Sequence, residues 1–179
     1  MKFIFEKEKF ISSDVCKKLI KYQKENCPKG ERQGFWSNRT VYYYRDNIKK
    51  ITDTIHKKII KLIKDFYKEK EMYLDHSNLV FWKPGLEMEP HADNCFIHQP
   101  DKEHYCPQRN YSCVIYLNSN FKGGETYFPN QNYTIKPRTG KLIFFPSGST
   151  HAHGVTKITK GNRYIMSIWF TKQPKYNIQ

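Results

Sequence analysis

The sequence of 179 residues predicts a mainly β fold with N-terminal helices, namely a double-stranded β-helix (jelly roll) with the helices packed on one sheet. From residue 77 onwards, short runs alternate apolar and polar residues, and turn residues separate them, as in sandwiches and barrels. Before residue 77, apolar residues recur every three or four positions, as in amphipathic helices. Aromatic residues make up 16% of the chain and suit pleated, half-buried strands.

The length fits one domain with a core of its own, so we expect a single domain over residues 1–179. Residues 1–76 are expected to form a helical support region. Residues 77–172 are expected to form the jelly-roll core.

Two helices are expected in the first part of the chain. The first begins near Ser13–Asp14, where both side chains suit an N-cap, and it ends at Cys27–Pro28. The second has one apolar stripe with lysines on the other face. This stripe consists of Ile48, Ile51, Ile55, Ile59, Leu62 and Phe66. Between the helices, the stretch FWSNRTVYYYRD predicts a strand.

Six further strands are expected in the rest of the chain. Each is a short run rich in β-branched or aromatic residues, and turn residues lie between the runs. In chain order they are NLVFW, YSCVIYLN, GGETYF, YTIKP, GKLIFFP and RYIMSIWFT.

The chain is strongly basic. It has 31 Lys and Arg against 17 Asp and Glu, a formal net charge of +14. A field of that sign attracts nucleic acid, anionic membranes, acidic peptides or small carboxylates. The alternative is a solvated surface on which lysine is merely the preferred residue. No basic strip with interleaved aromatic residues suited to stacking bases is seen, so a nucleic-acid partner is not favoured.

The sequence contains no apolar run long enough for a membrane span, and charges at residues 6–9 interrupt any signal-peptide core. Its five cysteines are irregularly spaced and include no C-x-x-C pair. This pattern favours a cytoplasmic protein with mostly free thiols over a disulfide scaffold.

Metal-ligating side chains are concentrated in the stretch EPHADNCFIH, where His91 and Asp93 stand two residues apart. Residues i and i+2 of an extended chain point the same way, so this pair can bind one metal. A third ligand is available from STHAHGV, as His151 or His153. Two histidines with one carboxylate form the facial triad of non-haem Fe(II) oxygenases.

Longer stretches make the pattern specific. His153 is followed ten positions later by Arg163, and both follow an H-x-D motif. The stretches FWKPGLEMEPHAD, YLNSNFKGGETYF and HGVTKITKGNRYIMSIWFT occur in the matching order. Over residues 77–172 the chain resembles the Fe(II)- and 2-oxoglutarate-dependent dioxygenases of the prolyl hydroxylase family. The spelling H-A-D-N-C followed by RNYSCVIYLN is most similar to the prolyl 3-hydroxylase (leprecan) branch.

The resemblance assigns roles to individual residues. It implies that His91, Asp93 and His153 hold the iron, because the HGV context and the spacing to Arg163 match His153. Arg163 would bind the distal carboxylate of 2-oxoglutarate, and one guanidinium balances the charge of iron, one carboxylate ligand and a dianion. Other contacts to the cosubstrate are implied for Tyr116, Thr126, Ser167 and Trp169.

Three residues are candidates for substrate contacts. Arg109 lies where a side chain can reach a substrate carbonyl. His151 would support a metal ligand, lie at the pocket rim, or simply be exposed. Trp82 stands where prolyl 4-hydroxylases commonly have Tyr, and an indole N–H donates but does not accept a hydrogen bond. The resemblance therefore leaves the contact at Trp82 open.

Residues 94–110 are expected to form a long loop, and long loops in compact domains are often lids or binding loops. Cys95, His98, His104 and Cys106 lie within it. Four such ligands could hold a structural zinc ion, and Cys95 and Cys106 could instead pair as a disulfide. The third alternative is a substrate-covering loop with free thiols.

The function implied by the resemblance is hydroxylation of a prolyl residue in a peptide or protein, with decarboxylation of 2-oxoglutarate to succinate. The implied cofactors are Fe(II), 2-oxoglutarate and O2, with L-ascorbate as an added reductant. Two alternatives remain from the sequence. They are the same iron chemistry on nucleic acid or another protein side chain, and a non-catalytic jelly-roll binding domain.

Overall fold

A computed structural model describes residues 3–28, 34–99 and 101–178 of the chain. Within these residues there are two α-helices, α1 (Ser13–Asn26) and α2 (Asp46–Tyr67). The strands in the same residues are β1 (Phe5–Lys7), β2 (Thr40–Val41), β3 (Tyr73–Trp82), β4 (Met88–His91), β5 (Tyr111–Tyr116), β6 (Thr126–Phe128), β7 (Tyr133–Ile135), β8 (Leu142–Pro146), β9 (His153–Val155) and β10 (Arg163–Thr171). Short 3₁₀ helices follow β6, β8 and β10.

The strands form two antiparallel sheets. The larger sheet has the order β1-β8-β5-β10-β3-β2, and the smaller has the order β4-β9-β6-β7. Apolar side chains from both sheets share one core, and the helices pack with the other face of the larger sheet in a second core. The prediction of a jelly roll with helices on one sheet is confirmed. Residues 1–76 contribute strands β1 and β2 and the start of β3 as well as the helices.

Helix α1 begins close to the predicted position. Ser12 is its N-cap, and its Oγ accepts a hydrogen bond from the amide of Val15 at 3.3 Å. The helix ends at Cys27, before Pro28.

Helix α2 contains the whole predicted apolar stripe, but its buried face differs from that stripe. Ile55 and Ile59 are buried, and Ile63 is buried in place of Leu62 and Phe66. Phe66 packs edge-on against Phe5 of β1, with ring centres 5.3 Å apart, and remains partly exposed. No helix among the described residues is both long enough and apolar enough to cross a membrane.

The strand predicted over residues 35–46 is mostly wrong. Only Thr40 and Val41 pair with β3, opposite Val80 and Leu79. The residues before them form a turn in which the guanidinium of Arg39 lies over the rings of Phe35 and Trp36. An extended strand would separate these side chains, so the stacking contacts favour the turn.

Strand β10 lies between the two cores, and its side chains point alternately to one side of the larger sheet and to the other. Tyr164, Met166, Ile168 and Phe170 belong to the core beneath the helices. The intervening residues Arg163, Ile165, Ser167 and Trp169 line a cavity between the sheets. The predicted strand RYIMSIWFT matches β10 residue for residue, so its period of two places every second side chain in that cavity.

The turn before β8 depends on Gly140. The amides of Phe10 and Ile11 contact the Gly140 carbonyl, at 2.8 and 3.3 Å, which ties the N-terminal segment to the larger sheet. Gly140 has φ of +79°, and a Cβ atom there would lie 2.2 Å from the carbonyl oxygen of Ile11. Only glycine allows this approach without a shift of the backbone.

We expect Gly140→Ala to lower the free energy of unfolding by roughly 3 kcal/mol, because it adds a backbone clash to the cost of a left-handed residue. Gly85→Ala is the matched control. Gly85 has φ of +91° with no atom within 4 Å of the added Cβ, so only the conformational cost of roughly 1–2 kcal/mol applies. Equilibrium urea unfolding measures both, and equal losses would show that the contact with Ile11 is unimportant.

Candidate metal centre and adjoining pocket

Three side chains converge at one end of the smaller sheet. His91 ends β4, Asp93 follows two residues later, and His153 begins β9 opposite His91 in the strand register. Nε2 of His91 lies 3.7 Å from Oδ1 of Asp93, and Nε2 of His153 lies 3.6 Å from Oδ2. One ligand atom from each residue lies within 4.8 Å of the others. Among the described residues, no other group of three His, Cys, Asp or Glu side chains has this metal-ready geometry.

Backbone carbonyls select the tautomer of both imidazoles. Nδ1 of His91 donates to the carbonyl of Glu89 at 3.0 Å, and Nδ1 of His153 lies 3.3 Å from the carbonyl of His151. A carbonyl only accepts, so the proton is on Nδ1 and the lone pair of each Nε2 faces the centre. This is the orientation in which outer hydrogen bonds hold histidine ligands of metals.

The carboxylate of Asp93 is also held in place. Ser112 Oγ donates to Asp93 Oδ2 at 2.5 Å, and the Asp93 amide donates to the carbonyl of Ser147 at 2.9 Å. Burial raises the pKa of Asp93, but the two imidazoles, Ser112 and the indole of Trp169 together bring that pKa below its usual value. Asp93 is therefore an anion that can bind a cation.

His153 is the most buried of the three. Burial, opposed by Asp93, lowers the pKa of His153 well below its usual value. The imidazole is therefore neutral at neutral pH, which is the state that binds a metal.

Arg163 lies at the start of β10, is 1% exposed and has no carboxylate bonded to it among the described residues. Its Nη2 lies 3.5 Å from Thr126 Oγ1, which also accepts from the hydroxyl of Tyr116 at 2.6 Å. Its Nε and Nη1 atoms have no hydrogen-bond partner in the described part of the chain. Burial lowers the pKa of Arg163, although Tyr116 opposes this. An uncompensated buried guanidinium is costly, and an anion bound beside it removes much of that cost.

A cavity of about 60 Å³ between the sheets joins Arg163 to the metal centre. Most of the cofactor-contact residues expected from the sequence share it. Its lining includes His91, Asp93, His153, Trp82, Thr126, Arg163, Ser167 and Trp169. Tyr116 lies behind this lining, where it contacts Thr126. The structure therefore brings the candidate metal ligands and the candidate anion site to one cavity.

A larger cleft of about 760 Å³ adjoins this cavity and opens past the loop at residues 94–110. Arg109 lines it, with the guanidinium 4.1 Å above the ring of Trp169. Nε of Arg109 donates to Oδ2 of the buried Asp75 at 3.1 Å, and Gln108 donates to the other oxygen of Asp75 at 2.8 Å. Arg109 is therefore a fixed cation on the cleft wall.

His151 does not join the centre. It lies in the 3₁₀ helix before β9 and lines neither cavity, and its ring contacts that of Phe3 with centres 6.5 Å apart. Its contribution is its backbone carbonyl, which faces His153. The side chain of His151 therefore lines neither cavity, its carbonyl supports a candidate ligand, and a contact of His151 with substrate stays a prediction.

The loop at residues 94–110 has free thiols. Cys95 and Cys106 are both unpaired, so the disulfide alternative is wrong. The described members of the proposed zinc set do not form a metal-ready cluster. Nδ1 of His104 instead accepts from the amide of Cys106 at 3.1 Å, and its ring stacks on Tyr105 with centres 4.2 Å apart. Pro100 of the predicted loop lies outside the described residues.

Sequence reasoning missed two residues of the site, Ser112 and Asp75. Ser112 carried a usable signal, because it lies four residues before Tyr116 on β5 and a strand with period two places both on one face. Asp75 carried none, since its ion pair with Arg109 joins distant parts of the chain.

Comparison with known proteins places this geometry in a family. A sequence profile described as the 2OG-Fe(II) oxygenase superfamily matches residues 77–171. Human prolyl 3-hydroxylase 2 is 38% identical over 96 residues, which are 48% of this chain and 14% of that protein. Chicken prolyl 3-hydroxylase 1 is 34% identical over 102 residues, 50% of this chain and 14% of that protein. The chain thus spans about 14% of the length of these curated relatives.

Solved structures share the fold over nearly the whole chain. A viral collagen prolyl hydroxylase from Paramecium bursaria Chlorella virus-1, in complex with 2OG, has a TM-score of 0.77 at 22% identity, covering 96% of this chain and 97% of that one. A Pseudomonas putida prolyl-4-hydroxylase has a TM-score of 0.73 at 17% identity, covering 96% and 93%. At these identities the likeness establishes the fold.

We expect His91→Ala, Asp93→Ala and His153→Ala each to abolish tight Fe(II) binding. Each removes a ligand, so the loss should exceed the roughly 10–100-fold caused by removing an outer hydrogen bond. Isothermal titration calorimetry with Fe(II) under anaerobic conditions measures the affinity. His151→Ala is the matched control and should retain wild-type affinity, since its side chain lines neither cavity. Loss of iron in His151→Ala with retention in His153→Ala would reverse the assignment.

Proposed function

This chain belongs to the 2OG-Fe(II) oxygenase superfamily, and from that premise we propose that it hydroxylates a prolyl residue in a peptide or protein. The balanced reaction inserts one oxygen atom of O2 into a substrate C–H bond. The other oxygen atom enters 2-oxoglutarate, which is converted to succinate and CO2. The observation that carries the proposal is that the His–Asp–His group and the unpaired guanidinium of Arg163 share one cavity.

In this proposal, His91, Asp93 and His153 hold Fe(II) through two Nε2 atoms and one carboxylate. When bound, the iron supplies the activation of O2 that no side chain can perform. The residues around the iron site hold the three ligand side chains in a fixed orientation. The carbonyls of Glu89 and His151 orient the imidazoles, and Ser112 orients the carboxylate.

Arg163 binds the distal carboxylate of 2-oxoglutarate in this proposal. The charges support it, since Fe(II), one Asp ligand, the dianion and one guanidinium sum to zero in a site that excludes water. The hydroxyls of Thr126 and Tyr116 stand beside Arg163 as further donors, and Ser167 lines the same cavity. We propose that Trp169 acts mainly by donating its indole N–H to Asp93.

The substrate occupies the larger cleft in this proposal. The names of the relatives, prolyl 3-hydroxylases and a prolyl-4-hydroxylase, support a prolyl acceptor. Arg109 offers the guanidinium edge left by its ion pair with Asp75 to a substrate carbonyl. The loop at residues 94–110 forms one wall and covers the bound peptide. The five free cysteines support a reducing, cytoplasmic location.

Mass spectrometry of a proline-peptide library tests the proposal. The library is incubated with the protein, Fe(II), 2-oxoglutarate, O2 and L-ascorbate, and succinate is measured in parallel. We expect a gain of one oxygen on a prolyl residue that requires every component except ascorbate. Succinate formation without any modified peptide would show that the acceptor is not proline. Absence of both would contradict the proposed function.

We expect Arg163→Met to raise the 2-oxoglutarate concentration needed for half-maximal succinate formation by at least ~100-fold. The variant keeps the apolar stem and removes a buried partner of the dianion, a loss of roughly 3–5 kcal/mol. Fe(II) affinity should stay unchanged, because Arg163 is not a ligand. The matched control is Arg138→Met, which alters an exposed arginine in the turn before β8. An unchanged requirement in Arg163→Met would contradict the assignment of the dianion pocket.

A further inference from the structure

A turn at residues 34–39 supplies part of the wall between the two cavities. Trp36 in this turn lines both the small cavity beside Arg163 and the larger cleft. All three tryptophans of the chain line the small cavity. Trp36 is 42% exposed and comes from the N-terminal part of the chain, so its position depends on contacts that hold the turn against the sheets.

Arg39 provides those contacts. Its guanidinium carbon lies 3.8 Å from the ring centre of Phe35, 4.8 Å from that of Trp36 and 4.7 Å from that of Trp82. Its Nε donates to the carbonyl of Phe35, which closes the turn. Arg39 is buried, yet Nη1 and Nη2 have no hydrogen-bond partner among the described residues. Within the described part of the chain, the three aromatic faces are therefore the main compensation for this desolvated cation.

The ring of Trp82 contacts the guanidinium groups of both Arg39 and Arg163. The guanidinium of Arg163 lies 5.3 Å from the Trp82 ring centre, and that of Arg39 lies 4.7 Å from it. Trp36 meets the same indole edge-on, with ring centres 5.8 Å apart. Two cations near one indole repel each other across a medium of low dielectric. Neutralising Arg163 with a bound carboxylate would relieve that repulsion and strengthen the contact between Arg39 and Trp82.

We infer that Arg39 is a positioning residue that holds Trp36 in the wall of the substrate cleft, and that Trp82 couples this wall to occupancy of the Arg163 site. The inference rests on the proposed function for the identity of the dianion. Binding of 2-oxoglutarate favours the position of Trp36 seen in the structure, and that position completes the cleft. Peptide affinity is therefore higher when 2-oxoglutarate is bound, and by linkage the reverse also holds.

The position of Trp36 can be measured without turnover. Protein labelled with 5-fluorotryptophan and loaded with Zn(II), which suits the same ligands, gives one fluorine NMR signal for each tryptophan. Each signal is assigned by a Trp→Phe replacement. We expect 2-oxoglutarate to shift the Trp82 signal. A soluble paramagnetic agent broadens the signals of exposed side chains, and 2-oxoglutarate should reduce the broadening that this agent causes in the Trp36 signal. In Arg39→Met we expect the Trp82 signal still to shift when 2-oxoglutarate binds. The Trp36 signal should be broadened by the paramagnetic agent to the same extent with and without 2-oxoglutarate.

Peptide binding provides the second measurement. With Zn(II) protein, 2-oxoglutarate should tighten binding of a hydroxylatable peptide by roughly 3- to 10-fold, the range expected for one cation–π contact. In Arg39→Met this gain should fall below twofold. The matched control is Arg45→Met, which removes an exposed guanidinium nearby and should retain the wild-type gain.

The outcomes separate the inference from the proposed function. If 2-oxoglutarate protects the Trp36 signal from the paramagnetic agent equally in Arg39→Met and in the wild type, the positioning role is overturned. Failure of 2-oxoglutarate to bind would overturn both. The fluorine measurement needs no peptide, so it decides the inference even if the acceptor is not proline. If Arg39→Met does not fold, Arg39→Lys keeps the charge but loses planar stacking, and it is expected to behave in the same way.

Discussion

A buried cation that bonds no carboxylate within the described part of the chain is the constraint on which this site depends. Arg163 is enclosed between two sheets, and the described residues offer it one long hydrogen bond to Thr126 and the faces of Trp82 and Tyr116. Such an arrangement is costly unless something compensates it. In the proposed function, a dianion bound beside the metal centre would supply the missing charge.

The two-sheet architecture delivers both halves of the site to one cavity. The larger sheet contributes Arg163, Ser167 and Trp169 from alternate positions of β10. The smaller sheet contributes His91 and His153 as register partners on adjacent strands. Because the sheets face each other across a shared core, the metal centre lies within reach of the cation. The fold therefore brings together side chains that are far apart in the sequence, with Asp93 supplied from the segment directly after β4.

The charges around the centre reinforce each other. A neutral His153 and an ionised Asp93 are the states that bind a metal, and opposed effects of burial and neighbouring groups produce both. Trp169 links this centre to the cleft, since its indole contacts Asp93 and its ring lies beneath Arg109. The side chain that contacts Asp93 therefore also lines the larger cleft.

Local periodicity was enough to predict β3, β5, β6, β7, β8 and β10 and to place His91 and Asp93 on one side of the chain, because side-chain direction in a strand repeats every two residues. It did not predict β1, β4 or β9, which are only three or four residues long. The spacing from His153 to Arg163 selected the histidine that the structure brings to His91 and Asp93. The tertiary structure alone decided the turn at Arg39, the free state of Cys95 and Cys106, and the pairing of Asp75 with Arg109. These depend on side chains packed against one another after the sheets close, and no local pattern encodes which distant residues then meet.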